Sequence, residues 1–178
     1  MVITYISTGS NVGDRFAAIS RAREALNSKA GIVTMHSSVY ETEPWGFNSE
    51  TSFLNQVLIL QTSLSPARLM NTILDIEKEM GRRRSHLRYE PRVIDIDILL
   101  YGKDVYNTHH LQIPHPRMNQ RKFVLIPLAE IAPDLVHPVL KLKISEILQN
   151  VEDNNSVSLW KSAADISLEI SGRSKTDI

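Results

Sequence analysis

Cysteine is absent from the 178 residues, which excludes disulfides, thiolate nucleophiles, iron–sulfur clusters and cysteine-ligated zinc together. Long apolar runs are absent too. The densest stretch, Phe123 to Ile131, is broken by Pro127 and Glu130 and falls far short of the roughly 18 apolar residues of a membrane span. The opening MVITYISTGSNVGDR has no basic region before its short apolar stretch, so a signal peptide is not expected and a cytoplasmic location is. Charge of one sign is missing as well: 20 Lys+Arg balance 20 Asp+Glu, and a chain without a broad basic face is not a general nucleic-acid binder. Neither GxxxxGKS/T nor GxGxxG occurs, the early glycine turn reading GSNVG over Gly9 to Gly13, so a nucleotide would have to be gripped by side chains. HExxH and an organised nucleophile triad are also missing. What remains is an ordinary globular composition, 42% hydrophobic and 22% charged, at a length that suits one domain.

Val2 to Ile6 alternate as a first strand, followed by turn chemistry at Gly9-Ser10-Asn11. Asp14 to about Ala30 carries a helical stripe of Phe16, Ile19, Arg23 and Leu26 with Ala22 beside it, stopped by Gly31. Ile32 to Tyr40 and Leu54 to Thr62 read as strands on either side of a loop, 41–52, that holds Pro44, Gly46 and Asn48. Ser65 caps a helix opened by Pro66, in which Leu69, Ile73, Ile76 and Met80 recur at steps of four, three and four. Val93 to Tyr101 is a strand, Leu111 to Ile113 a weaker one, and Phe123 to Ile126 precedes a short helix opened by Pro127. The order β, α, β, β, α, β predicts an α+β domain of the split-βαβ, ferredoxin-like kind, with helices on one face of a mainly antiparallel sheet. Residues 1–150 are expected to form it. Residues 151–178 form a C-terminal extension with weak apolar alternation and a frayed end.

The segment Val93-Ile94-Asp95-Ile96-Asp97-Ile98-Leu99-Leu100 is the sharpest feature. Strand alternation puts Asp95 and Asp97 on one face, roughly 6–7 Å apart along the backbone, and Ile94, Ile96, Ile98 and Leu100 on the other. Two neighbouring carboxylates on a buried strand need an answering charge. The residues leave two answers open: arginine partners, or a hard divalent cation such as Mg²⁺ that takes oxygen ligands and keeps positions for phosphates. Just upstream, RRRSHLRYEPR sets Arg82, Arg83, Arg84, Arg88 and Arg92 against the single Glu90. Downstream come His115, stiffly presented between prolines, then Arg117, Arg121 and Lys122. Guanidinium forks beside a carboxylate pair suit phosphoryl transfer, whereas arginines alone would read as a solvated surface. His109 and His110 are expected at the surface. Trp45, Phe47 and Phe53 near Asn55 offer stacking and amide edges to a flat heteroaromatic ligand, or else serve as loop anchor and core.

Taken together these residues resemble the 6-hydroxymethyl-7,8-dihydropterin pyrophosphokinase family over about residues 2–150. The resemblance is carried by Gly9-Ser10-Asn11, Tyr40-Glu41-Thr42, Phe53-Leu54-Asn55, Glu77 with Gly81-Arg82, Pro91-Arg92-Val93-Ile94-Asp95-Ile96-Asp97-Ile98-Leu99 and Ile113-Pro114-His115-Pro116-Arg117-Met118. It implies transfer of diphosphate from ATP to the pterin alcohol, giving AMP and the pterin diphosphate ester for folate synthesis. By the same resemblance Asp95 and Asp97 would hold two Mg²⁺ ions, and Arg82, Arg84, Arg92, His115 and Arg121 the triphosphate, with Arg82, Arg92, Asp95 and Asp97 catalytic. Met70, Leu74, Glu77, Ile98, His110 and Gln112 would surround the nucleotide. Gly9, Thr42, Glu43, Trp45, Phe53, Asn55, Asp95 and Phe123 would receive the pterin. The chain departs from the family pattern at Ser85, Tyr89-Glu90 and Pro116. The implied partners are ATP and the pterin, with neither nucleic acid nor membrane, and the implied state is a monomer or weak homodimer. The rivals are a nucleotide-sensing or RNA-binding module and another ATP-dependent kinase for a flat alcohol.

Overall fold

In the computed structural model, which describes residues 1–43, 51–82 and 92–173, the first strand, β1 (Val2–Ser10), runs through the expected turn at Gly9-Ser10. Pairing on both sides overrides the local turn preference, since β1 lies antiparallel between β4 (Phe53–Thr62) and β5 (Asp95–Tyr101). The helix α1 (Arg15–Lys29) starts where Asp14 accepts a hydrogen bond from the Ala17 N–H at 3.0 Å, a side-chain cap for an otherwise orphan donor. Gly31 follows it, and a Cβ there would sit 2.2 Å from the Gln61 carbonyl oxygen. The helix α2 (Pro66–Glu79) begins as its sequence indicates, with Ser65 capping and Pro66 in the first turn.

The expected strand from Ile32 to Tyr40 is two strands, β2 (Ile32–His36) and β3 (Val39–Thr42), both paired with β4. The break falls at Ser37-Ser38, whose polar groups interrupt the regular ladder: Ser37 Oγ accepts from Val57 N at 3.0 Å, and Ser38 N donates to the Glu130 carboxylate at 2.9 Å. Short strands β6 (Tyr106–Asn107) and β7 (Gln112–Ile113) pair with each other, the first of them unmarked in the sequence. The helix α3 (Lys122–Ile131) starts five residues before Pro127. It absorbs the stretch from Phe123 to Ile126, and Pro127 lies inside it rather than opening it. The chain continues through α4 (Ile144–Asn150), β8 (Val157–Lys161) and α5 (Ala163–Arg173).

The main sheet has the order β5-β1-β4-β3-β8, with β2 also on β4. The fold is α+β with a mainly antiparallel sheet, and this order is compatible with the split-βαβ arrangement. Helices cover both faces, however. Ile19 and Leu26 of α1, Ile73 and Ile76 of α2 and Ile166 of α5 pack with Ile6, Leu58, Ile96 and Ile98. Val124 and Leu128 of α3 and Ile144 of α4 pack with Val57, Leu99 and Leu100 on the other face. The two apolar layers remove both sheet faces from water, the dominant favourable term in such a fold. Residues beyond Asn150 are built into this frame. β8 pairs with β3, and Asp153 Oδ2 accepts from Lys122 N at the start of α3 at 2.8 Å. Residues 174–178, where fraying was expected, lie outside the described residues. Among the described residues, no helix is long and apolar enough to cross a membrane.

Candidate active site

The site is assembled by register. Ser7 pairs with Asp97 and Gly9 with Asp95 on one side of β1, while Ser7 pairs with Val57 and Gly9 with Asn55 on the other. Directly paired residues share a sheet face, so Asp95, Gly9 and Asn55 form one row and Asp97, Ser7 and Val57 the next. Tyr40 continues the first row on β3, and Thr42 opposite Phe53 forms a third. This is the face on which α3 packs. The two aspartates do lie opposite Ile94, Ile96 and Ile98, as alternation requires. Leu100 does not join those isoleucines: the register jumps from Tyr5 opposite Leu100 to Ile6 opposite Ile98, and this bulge turns Leu99 and Leu100 together toward α3.

Gly9 is required by close approach. A Cβ at this position would stand 3.0 Å from Asn55 Oδ1. Asn55 is 4% exposed and donates through Nδ2 to Thr42 Oγ1 at 2.9 Å. Its Oδ1 therefore looks over the bare glycine toward the aspartates. Phe123, at the start of α3, borders the same face, with the Arg121 guanidinium 5.4 Å from its ring centroid.

Arginines answer Asp95. Arg82 Nη1 reaches Asp95 Oδ1 at 2.6 Å and also pairs with Glu77, and Arg92 pairs with the other oxygen, Oδ2. Glu77 is 2% exposed, and its Oε1 accepts from Ile96 N at 2.8 Å, joining α2 to the start of β5. Burial works to lower the Arg82 pKa, but Asp95 and Glu77 outweigh it and the net shift is upward. Among the described residues Asp97 has no such partner at short range, and its nearest ion-pair candidate among them is His115 Nε2, 4.0 Å from Oδ2. Burial first, then the charges of Asp95 and Glu77, push the Asp97 carboxyl up to about 7 against the pull of Arg121 and Arg82.

His115 moves the opposite way. Burial, reinforced by Arg121 and Arg117 and only partly opposed by Asp95, lowers it to about 4, so it is neutral near pH 7. Its Nδ1 accepts from the Arg117 N–H at 3.2 Å, which leaves the proton on Nε2, facing Asp97. His115 N is tied to Leu99 O at 2.9 Å, so β5 positions the imidazole as well as both carboxylates.

Asp95 and Asp97 are the carboxylates that β5 contributes to this face, and no group of three or more His, Cys, Asp or Glu residues able to hold a metal is present among the described residues. Two carboxylates with a surplus of negative charge around Asp97 fit a hard cation that keeps positions for water and phosphate oxygens, and not an all-protein cage.

Asn11 was marked only as part of a motif. The structure gives it a mechanical role: its Oδ1 accepts from Arg92 N at 2.7 Å, its N–H donates to Arg92 O at 3.1 Å, and Thr51 Oγ1 donates to its carbonyl at 2.9 Å. No local spacing could reveal a partner 81 residues away. The residues expected around the nucleotide fall in several environments. Met70 and Ile98 belong to the apolar layer under α2. Leu74 is half-buried on α2, whereas His110, edge-on to His109, and Gln112 are exposed. Glu43 is exposed just past β3. Trp45 and Arg84, together with the departures at Ser85 and Tyr89-Glu90, lie outside the described residues. Pro116 is exposed beside His115.

Residues 5–133 match the family described as 7,8-dihydro-6-hydroxymethylpterin-pyrophosphokinase (HPPK). The chain is 43% identical over 146 residues to the 2-amino-4-hydroxy-6-hydroxymethyldihydropteridine pyrophosphokinase of Aquifex aeolicus, spanning 82% of this chain and 90% of that one. It is 40% identical over 160 residues to the protein of the same name in Bacillus subtilis, spanning 89% and 90%. Among solved structures, a Plasmodium falciparum HPPK-DHPS chain superposes with a TM-score of 0.69 at 16% identity, covering 86% of this chain and 47% of that one. This likeness is one of fold, and the chain spans about half of that larger protein. With the aspartate pair, the arginines and the Gly9–Asn55 contact all inside the matched segment, the chain belongs to the 7,8-dihydro-6-hydroxymethylpterin-pyrophosphokinase family.

Proposed function

We propose that this chain transfers the terminal diphosphate of ATP to the hydroxymethyl group of 6-hydroxymethyl-7,8-dihydropterin, a step in folate biosynthesis. The hydroxyl oxygen bonds to the β-phosphorus, the bond from that phosphorus to the α,β-bridging oxygen breaks, AMP leaves, and the hydroxyl proton passes to solvent. The observation that carries this reading is the row Asp95–Gly9–Asn55, which sets a phosphate-and-cation end beside a flat-ligand end on one sheet face.

Each group then has a task. Asn55 and the backbone near Thr42 read the pterin edge, Gly9 leaves room for its ring, and Phe53 and Phe123 stack on its faces. Arg82 and Arg92 exchange their contacts with Asp95 for phosphate oxygens, a planar fork-to-oxyanion match. His115, neutral with its proton on Nε2, donates a hydrogen bond to a phosphate oxygen without adding charge that Asp97 would capture. Arg121 adds positive charge at the start of α3. Asp95 and Asp97 would hold Mg²⁺, two ions in our reading, which when bound offset phosphate charge and make the pterin hydroxyl more acidic. A cytoplasmic, monomeric or weakly dimeric enzyme acting on small molecules, and not on nucleic acid, completes the proposal; sedimentation velocity measures the oligomeric state.

Product analysis with ATP, Mg²⁺ and the pterin alcohol tests the reaction. AMP formed only with pterin and metal, and abolished by EDTA, is the expected result. ADP in its place would identify a single-phosphoryl kinase, and salt-sensitive RNA binding without turnover would identify a binding module. A narrower prediction concerns Gly9→Ala. The added methyl drives Asn55 Oδ1 away, so the KM for the pterin should rise by about tenfold, the equivalent of one lost hydrogen bond, while the KM for ATP stays near the parent value. Equal changes in both constants would show that Gly9 does not belong to the pterin end.

A further inference from the structure

The helix α3 brings two residues of the site to its first turn, Arg121 at the cap position and Phe123 just inside. A helix leaves its first N–H groups without intrahelical partners, and a capping side chain ordinarily satisfies one of them. Arg121 makes no such bond. Its guanidinium has no acceptor to offer and lies 5.4 Å from the Phe123 ring centroid. No acidic residue stands in the first turn either. The missing acceptor comes from 31 residues further along the chain, where Asp153 Oδ2 takes the Lys122 N–H at 2.8 Å. Asp153 is 5% exposed, and its other oxygen accepts from Asn155 N at 3.0 Å and from Asn155 Nδ2 at 2.7 Å. Its negative charge also suits the positive end of the helix.

The same short segment is fixed at its other end. Val157 opens β8 and pairs with Thr42 of β3, the residue whose Oγ1 receives the Asn55 Nδ2 donor. The chain from Asp153 to Val157 spans at most roughly 14 Å even when fully extended. It therefore ties the start of α3, with Phe123, to the strand that orients Asn55. Those are two walls of the proposed pterin end. The contacts that hold Arg82, Arg92 and His115 run instead to Glu77, Asp95 and Leu99, on segments that Asp153 does not bond.

We propose that Asp153 is a positioning residue for the pterin end: by capping α3 from outside the helix, it holds Phe123 in place against the pterin ring. The proposal rests on the pterin reading of this face given above. Steady-state kinetics of Asp153→Ala in the full chain test it. The uncapped turn frays, and the KM for the pterin should rise by about fivefold, the equivalent of one lost cap, while the KM for ATP stays near the parent value. A role in stability alone would reduce the fraction of folded enzyme, and so kcat, without moving either KM. Ile19→Val, in the core on the opposite face of the sheet, is expected to lose a similar amount of stability and should leave both KM values unchanged. In a Phe123→Ala background, Asp153→Ala should add nothing further to the KM for the pterin, because two residues acting through one contact are not additive. A parent-like KM for the pterin in Asp153→Ala, an equal rise in the KM for ATP, or the full rise repeated in the Phe123→Ala background would overturn the assignment of Asp153. An inactive parent chain would instead overturn the pterin reading, and this assignment with it.

Discussion

Asp97→Asn should lower kcat by on the order of 10³-fold or more while stabilising the metal-free protein near neutral pH. On the proposed metal-holding role of Asp95 and Asp97, the loss follows from removing one of two carboxylates that would hold a cation whose stabilisation of transition-state charge is worth several kcal/mol. The gain in stability follows from the same environment. Burial and the charges of Asp95 and Glu77 raise the Asp97 carboxyl to about 7, above its value of about 3.9 in an unfolded chain. Between roughly pH 4 and 7 the folded state therefore holds the extra proton, and the Asp97 contribution to stability falls as pH rises through that window. His115, lowered to about 4, acts in the reverse sense. The unfolded chain binds its proton more readily, so the His115 contribution is present above its unfolded value near 6.5 and is lost as pH falls toward 4. In the parent protein the two slopes oppose each other. In Asp97→Asn the opposing slope is removed, and the His115 slope, joined by those of His36 and His137, which burial shifts in the same direction, should make denaturant midpoints rise steadily from pH 4 to 6.5. A flat profile in the variant would contradict the arrangement. In the parent chain, protons compete with Mg²⁺ for Asp97, so metal affinity should fall by up to about tenfold per pH unit below about 7.

Arg92→Ala and Arg82→Ala should both cost on the order of 10²–10³-fold in turnover, the scale of one lost charge-stabilising donor, yet they should differ in stability. Arg92 is partly exposed and contacts Asp95 from its open side, so its removal leaves Asp95 with Arg82. Arg82 also pairs with Glu77, which is 2% exposed, and deleting one partner of a buried pair costs about 3–5 kcal/mol. Urea denaturation should place Arg92→Ala within error of the parent chain and Arg82→Ala well below it. Equal midpoints would mean that Glu77 is satisfied without Arg82. Glu77→Gln should reproduce part of the Arg82→Ala defect, because it weakens the hold on Arg82 while the amide oxygen still accepts from Ile96 N.

Much of the site was legible because it is written at period two. Asp95 and Asp97 share a face for a purely local reason, and Ser65-Pro66 starts α2 for another. Gly9 and Asn55 could be named from the motif, but their contact depends on the pairing of β1 with β4, which no local pattern encodes. The same holds for Asn11, whose grip on Arg92 spans the chain. Where local preference and tertiary contacts disagreed, the tertiary contacts won: pairing on both sides makes Gly9-Ser10 strand and not turn, and α3, packed on the sheet through Val124, Leu125 and Leu128, runs through Pro127. The jump that leaves Leu99 as an extra residue in β5 moved Leu100 to the opposite face, because one inserted residue inverts the alternation of everything after it.

The sequence by itself determined the chemistry of the protein: carboxylates at strand spacing, arginines on both sides of them, an amide and aromatics for a flat ring, and no thiol or glycine-rich phosphate loop. Tertiary structure decided which of these groups oppose one another. It assigned Arg82 and Arg92 to Asp95, left Asp97 to His115, and brought residues past Asn150 back to cap α3 and extend the sheet. Local sequence sets side-chain type and periodicity, whereas charge pairing and burial arise only when segments far apart in the chain are packed side by side.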